Sequence, residues 1–272
     1  MGHMILTVPQ PGHLHQLDFN GAPAERTGLI VKGKLNDNDM SVLRRYIQSD
    51  EFREYLETVD LSDVTGISRI PEQMFSRCRR LKEVLLPAVP IVLGSQAFAY
   101  SPELSLVGTE QITGIEAFDC FAFCEHLPGM NFAAAETAGS FSFRKTVFKG
   151  SALFSRLKTL SSYIFQDAVI GGDLVLPEVT CCAEDAFFGA AVLGKIDLPN
   201  CTEMKYGVFN ELRMLQSLRL TSEQEIALNY RTFSEHSCMK NTVLYLHPNK
   251  KNSVRDRYWG GVLWKEILFE ES

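Results

Sequence analysis

The chain has 272 residues, 45% hydrophobic and 22% charged, with 27 basic against 33 acidic side chains and a net charge of −6. That apolar fraction supports a core and excludes wholesale disorder, and the length fits one large domain or two small ones. The acidic balance, without a basic stripe, argues against non-specific nucleic-acid binding, and no uninterrupted apolar run reaches the roughly 18 residues that span a bilayer.

Taken in chain order, Met1-Gly2-His3-Met4 reads as a vector-derived remnant, so localisation cannot be taken from the N-terminus. Residues up to about 27, with Pro9, Pro11, Gly12, Gly21 and Pro23, read as an irregular lead-in carrying a short helix around His15 and Leu17. His13, His15 and Asp18 could in principle clip a metal, but histidines two apart on an irregular segment are more often solvated. Residues 28–61 read as an N-terminal cap. A strand is followed by a helix with Asn36 or Asp37 as N-cap and Met40, Leu43 and Ile47 on one apolar face, and Leu56, Val59 and Leu61 form the first strand of the stack beyond.

From there the chain repeats. Phe75, Phe98, Phe121, Phe143, Phe165, Phe187, Phe209 and Phe233 follow one another at intervals of 23, 23, 22, 22, 22, 22 and 24 residues. Other offsets repeat with them. Ile70, Leu93, Leu160, Met204 and Leu228 stand five before, and the small residues Cys78, Ser101, Cys124, Thr146, Ala168 and Ala190 stand three after. Pairs such as Val84 and Leu86, Leu174 and Leu176, or Ile196 and Leu198 alternate as half-buried strands do, and Pro87, Pro177 and Pro199 end those strands. A unit of this size cannot bury its own apolar face, so neighbours must stack into a solenoid with like residues above like. The pattern weakens around Ile115 to Phe132, where Ile115 lies one residue early, and around Phe143 to Phe154, which predicts distorted turns. After Pro248, residues 249–272 supply a C-terminal cap, with a short helix over Lys250 to Tyr258 and Trp259, Trp264, Ile267 and Phe269 as a lid.

The motif I-x-x-x-A-F-x-x-C-x-x-L-x-x-I-x-L-P, carried by runs such as Arg69 to Val89 and Cys181 to Asn200, resembles the BspA-type leucine-rich repeat family of bacterial cell-surface proteins. The resemblance covers residues 56–248. It implies a right-handed, α/β to β-rich leucine-rich repeat solenoid of about eight 22–24-residue repeats, each with a short strand and a compact turn or short helix, capped at both ends. It also implies export to the cell surface or medium and binding to proteins or cell surfaces. No catalytic residue, cofactor or metal comes with it.

The remaining chemistry-bearing residues fit the repeat. Six of seven cysteines (78, 120, 124, 182, 201 and 238) fall on core positions, where a thiol acts as a small hydrophobe, and Cys120 and Cys124 lack a second ligand pair at zinc spacing. His126, His236 and His247 fall in different turns. Glu184-Asp185 falls in the surface part of a repeat, Asp37-x-Asp39 fits helix capping, and Gly171-Gly172 and Gly260-Gly261 read as turns. No P-loop, dinucleotide fingerprint, G-x-S-x-G elbow or H-E-x-x-H occurs, so no catalytic site is assigned.

A solenoid binds through the outward residues of its stacked strands. Alternation assigns Thr58, Asp60, Glu83, Leu85, Leu106, Gly129, Asn131, Ser151, Leu153, Asp173, Val175, Lys195, Asp197, Ser217 and Arg219 to that row. The partner-binding residues expected from it are Glu83, Leu85, Leu106, Asn131, Leu153, Asp173, Val175, Lys195, Asp197 and Arg219. They form an apolar middle with charge toward the ends, although isolated exposed leucines are also common without function. The expectation is a non-enzymatic surface or secreted module whose partner is a host extracellular or cell-surface protein. The alternative is a structural or glycan-capturing surface protein with no host ligand.

Overall fold

The computed structural model describes residues 2–17, 26–116, 118–229, 231–234 and 236–271, so Asp18, Gly21 and Pro23 lie outside the described residues. Strands of two to four residues cannot persist alone. Here the strands of the repeats pair in parallel with their equivalents one repeat away, as in Leu174 with Ile196, Ile170 with Val192 and Cys182 with Met204, each 22 residues apart. The sequence period is thus the structural register.

Two strand positions recur along the solenoid and a third forms in its middle coils. The main face runs through Thr58–Asp60, Glu83–Leu85 and Ser105–Val107, and resumes as a seven-stranded sheet. Its order is Met130–Asn131, Ala152–Leu153, Leu174–Val175, Lys195–Asp197, Ser217–Leu220, Val243–Leu246 and Glu266–Phe269. A second face carries Arg69–Ile70, Ile91–Leu93, Ile112–Ile115 and Thr137–Ala138, then Thr159–Leu160, Cys181–Cys182, Glu203–Met204 and Ala227–Leu228. A third carries Val147–Phe148, Val169–Ile170 and Ala191–Val192.

Between the second and third faces lies the phenylalanine segment. The eight anchor rings stack in one continuous ladder, with centroids 5.1–5.6 Å apart and ring planes within 17° of parallel. Phe132 and Phe154, from the main face, meet the ladder edge-on at Phe143, at 5.6 and 5.4 Å. These rings give the core both area and fixed geometry.

The backbone around each anchor alternates in hand. Two residues before it, Gln73, Gln96, Asp119, Phe141, Tyr163, Asp185, Gly207 and Arg231 all have φ between 52° and 67°. Two residues after it, Arg77, Tyr100, Phe123, Lys145, Asp167, Gly189 and Glu211 have φ between 53° and 64°. Left-handed backbone is costly for residues with a Cβ. What offsets the cost is axial bonding: the amides of Tyr163, Phe165 and Asp167 donate to the carbonyls of Glu184, Ala186 and Phe188 in the next coil, at 3.2, 2.9 and 2.8 Å. The intervening amides of Gln166 and Ala168 close turns onto Tyr163 and Phe165 at 3.0 Å. The buried polar backbone is therefore satisfied along the axis and around the coil at once.

Two interruptions occur, although Ala152–Leu153, within the second irregular stretch, pairs in register with both neighbouring strands. The main face breaks between Ser105–Val107 and Met130–Asn131, and the second face between Thr137–Ala138 and Thr159–Leu160. A hydroxyl bridges each gap: Thr109 Oγ1 donates to the Asn131 carbonyl at 2.7 Å, and Ser161 Oγ to the Ala138 carbonyl at 2.6 Å.

The ends depart from expectation in instructive ways. The helix Asp37–Ile47 forms with Asn36 as N-cap in a full capping box with Asp39, burying Met40, Leu43 and Ile47. Asp39 does more than cap. It is fully buried, and its carboxylate accepts the amides of Gly12, Leu14 and Asn36 at 2.6, 3.0 and 3.1 Å, tying down the lead-in. Nor is that lead-in wholly irregular: Gly2–Val8 is a strand, paired in parallel with Arg26–Lys34 and burying Met4, Leu6 and Val8. Thr58–Asp60 is therefore the third strand of its sheet, because the apolar alternation of Met4, Leu6 and Val8 already satisfies a strand's requirement. The helix near His15 is a single 3-10 turn, Leu14–Gln16. At the other end the expected helix is 3-10 over Pro248–Ser253, followed by a hairpin of Tyr258–Trp259 and Val262–Leu263. Trp264 closes the ladder edge-on against Phe233 at 5.3 Å, and its indole N–H donates to the Trp259 carbonyl at 3.1 Å. Ile267 and Phe269 belong to a seventh strand of the main face rather than to a separate lid.

Candidate functional site

The outward row of the main face is set by strand register. From Met130 onward one column reads Asn131, Leu153, Val175, Asp197, Arg219, Tyr245 and Leu268, each paired laterally with the next. A second reads Lys195, Ser217, Val243 and Glu266. Asp173 extends it by hydrogen bonding, since its carboxylate accepts the Lys195 amide at 3.0 Å while its own amide donates to Ser151 Oγ at 2.9 Å. Inward partners such as Leu174, Ile196, Leu218 and Leu244 are fully buried.

Along the first column the chemistry alternates in pairs. Leu153 and Val175 are half-buried apolar side chains, Asp197 and Arg219 form an ion pair, and Tyr245 and Leu268 return to aromatic and aliphatic surface. The Arg219 guanidinium meets Asp197 Oδ1 at 3.2 Å, donates from Nε to Glu270 and from its other terminal nitrogen to the Glu271 carbonyl at 3.3 Å. Burial opposes its charge, but Glu270 and Asp197 together outweigh that and hold Arg219 above its ordinary range. Lys195 Nζ stands 3.6 Å from Asp197. With Ser217 and Tyr245 these groups line an open depression of about 370 Å³. Fixed charge beside apolar shelves is what a polar-rimmed protein-binding patch requires.

Two expected features change. Leu106 does not face outward: it is 5% exposed and sits between Ser105 and Val107 in register with Val84 and Val59. The strand after Phe98 arrives one residue earlier than the others, and a one-residue slip moves a side chain to the opposite face. The row is also not continuous, because Glu83 and Leu85 lie on the N-terminal sheet, beyond the break from Asn131, Leu153, Asp173, Val175, Lys195, Asp197 and Arg219. Tyr245, Glu266, Leu268 and Glu270 are added to the face. The alternation of Ile267 and Phe269 could have announced their strand.

Away from this face, outward aromatics satisfy one another. Tyr100 stacks on Phe123 at 4.7 Å, with Arg77 beyond one end and Lys145 beyond the other at 5.5 and 5.4 Å, and Phe141 stacks on Tyr163 at 5.1 Å. Stacked on one another and half-buried, they read as a second, external ladder. Burial pushes the Cys78 and Cys124 thiols up to about 12, so neither is a ready nucleophile. Cys124 is not merely a small hydrophobe, since its thiol donates to the Phe98 carbonyl at 3.2 Å. Asp185, expected at the surface, is 8% exposed. Among the described residues, no group of three or more His, Cys, Asp or Glu side chains is placed to hold a metal ion. No helix among them is long and apolar enough to cross a membrane.

Residues 45–170 and 173–258 match the BspA type leucine rich repeat region, in six copies. The chain belongs to the BspA type leucine-rich repeat family. Among solved structures it is similar to the pneumococcal vaccine antigen PcpA, at 12% identity and a TM-score of 0.35, over 100% of this chain and 90% of that one. No curated protein matches the chain significantly.

Proposed function

We propose that this BspA-type repeat protein is a non-enzymatic binding module of the cell surface or extracellular space, adhesin-like in action, that takes a host extracellular or cell-surface protein on its main face. Its solenoid is read as right-handed, the hand parallel β-crossovers almost always take, with about eight repeats. The observation carrying the reading is the in-register row of Leu153 and Val175, the Asp197–Arg219 pair, and Tyr245 and Leu268. A rigid sheet presents these groups with little conformational entropy to lose on binding. The alternative is a structural or glycan-capturing surface protein, favoured by the open, polar depression around Lys195, Ser217 and Tyr245.

The test is binding of the purified chain to immobilised extracellular-matrix proteins, serum proteins and glycans, with a salt series. Saturable binding to one protein, weakened by salt, supports the adhesin reading, whereas saturable binding to a glycan alone supports the alternative. Silence across the panel contradicts both binding readings.

A further inference from the structure

Two of the seven cysteines stand in sulfur-to-sulfur contact. Cys182 Sγ and Cys201 Sγ are 3.8 Å apart, and both residues are fully buried. Cys182 sits on the second face, paired between Leu160 and Met204, and Cys201 follows the main-face strand Lys195–Asp197. The 19 residues from one to the other pass through the Phe187 anchor, the third-face strand Ala191–Val192 and the main-face strand. The pair therefore meets where a single coil returns on itself. One coil earlier, the same two positions hold Leu160 and Val179, both buried. Cysteine thus replaces an aliphatic pair at both partners in one coil.

We propose that Cys182 and Cys201 are a disulfide-forming pair that, on meeting a disulfide oxidant, closes one turn of the solenoid covalently. The sulfurs need approach by less than about 2 Å to reach bonding distance. With glutathione disulfide as oxidant, the Cys201 thiolate attacks one glutathione sulfur and expels the other glutathione as thiolate. The deprotonated Cys182 sulfur then attacks the Cys201 sulfur and expels the second. Two protein thiols and one glutathione disulfide become one protein disulfide and two glutathione thiols, which take up the protons lost from the cysteines. Local chemistry favours that order: the hydrogen bond from Cys182 holds the Cys201 thiol below its ordinary range, while the same bond raises Cys182. Cys181, half-buried beside Glu203, is also raised by burial, and the sulfur in contact with Cys201 is that of Cys182. The buried pair is open to oxidant as the coil closes during folding.

The full chain is refolded from the reduced, denatured state in a glutathione redox buffer, then denatured, labelled with N-ethylmaleimide and mapped by mass spectrometry. The expected result is a cross-linked Cys182–Cys201 peptide pair, a mass loss of two hydrogens and label on the other five cysteines. The oxidised chain should melt roughly 5 °C higher than the reduced one. Cys201→Val, which installs the residue of the preceding coil, should label at all six remaining cysteines and show no oxidant-dependent shift. Full labelling of Cys182 and Cys201 in the wild-type chain, or a link from Cys201 to Cys181 instead, overturns the proposal.

Discussion

The Ser101 hydroxyl donates to the carbonyl oxygen of Phe75 at 2.7 Å, inside the core and across one coil. The same bond recurs from Cys124 to Phe98 and from Thr146 to Phe121, at 3.2 and 2.7 Å. The position three after Phe98, Phe121 and Phe143 is therefore a polar latch onto the preceding anchor. In the next two coils Ala168 and Ala190 replace it, and the anchor carbonyls of Phe143 and Phe165 keep only their turn amides, Thr146 and Ala168, at 3.2 and 3.0 Å.

This relationship gives the first prediction. Ser101→Ala should cost about 1–2 kcal/mol, because a buried carbonyl loses a partner, and Ser101→Cys should recover part of it, as Cys124 shows the thiol can serve. Urea unfolding midpoints of the three proteins check the ordering.

A second prediction concerns the ladder. Phe143 stacks between Phe121 and Phe165 and meets Phe132, Phe148 and Phe154. Phe143→Ala should cost about 3–5 kcal/mol, with the cavity at the upper end because rings pack it on several sides. Thermal unfolding and near-ultraviolet dichroism would report the loss.

A third tests the alternating backbone. Glu211 is exposed with φ of 56°, at the position Gly189 fills one coil earlier. Glu211→Gly should be neutral or stabilising by up to about 1 kcal/mol, whereas Glu211→Val should destabilise by about 1–2 kcal/mol, since a β-branched side chain fits left-handed backbone poorly.

The fourth concerns pH. Glu57 has a side chain only 6% exposed, and its carboxylate accepts from Lys82 at 3.2 Å and from Arg80. The Lys82 bond, partly opposed by burial and aided by Arg80, holds its pKa below the ordinary carboxylate range. A depressed folded pKa contributes stability that is present above the unfolded value and is lost as pH falls through the folded one. Stability should therefore decline as pH drops below about 4.5, and Glu57→Gln should flatten that decline. Denaturant midpoints between pH 3 and 7 on both proteins decide it.

Much of this architecture was legible from residue types. The phenylalanine interval, the residues five before and three after it, and the strand pairs became the ladder and the parallel registers, because a stacked repeat makes equal sequence steps equal positions in space. What escaped was what the period does not control. Leu106 turned inward because its strand starts one residue early, and nothing in the residue itself marks that slip. The left-handed positions are occupied mostly by Gln, Arg, Tyr, Phe, Asp, Lys and Glu, with glycine only at Gly189 and Gly207, so no recurring glycine betrays them. Gly2–Val8 and Glu266–Phe269 lie outside the period, and their alternation was outweighed by the prolines that follow one and the tryptophans that precede the other. The contact of Cys182 with Cys201 needs the coil's circumference, which offsets counted from a single anchor do not supply. On the main face, column order was readable, while the joining of Asp197, Arg219 and Glu270 required the seventh strand.

The most direct test of the account measures binding to whichever panel protein gives a saturable signal. The wild-type chain is compared with Leu153→Lys/Val175→Lys on the main face and with Val147→Lys/Val169→Lys on the third. Dichroism and thermal unfolding confirm that all three remain folded. The account predicts that the main-face variant loses at least tenfold in affinity, about 1.4 kcal/mol, while the third-face variant binds as wild type. Unchanged binding by the main-face variant, with loss in the third-face variant, would contradict it.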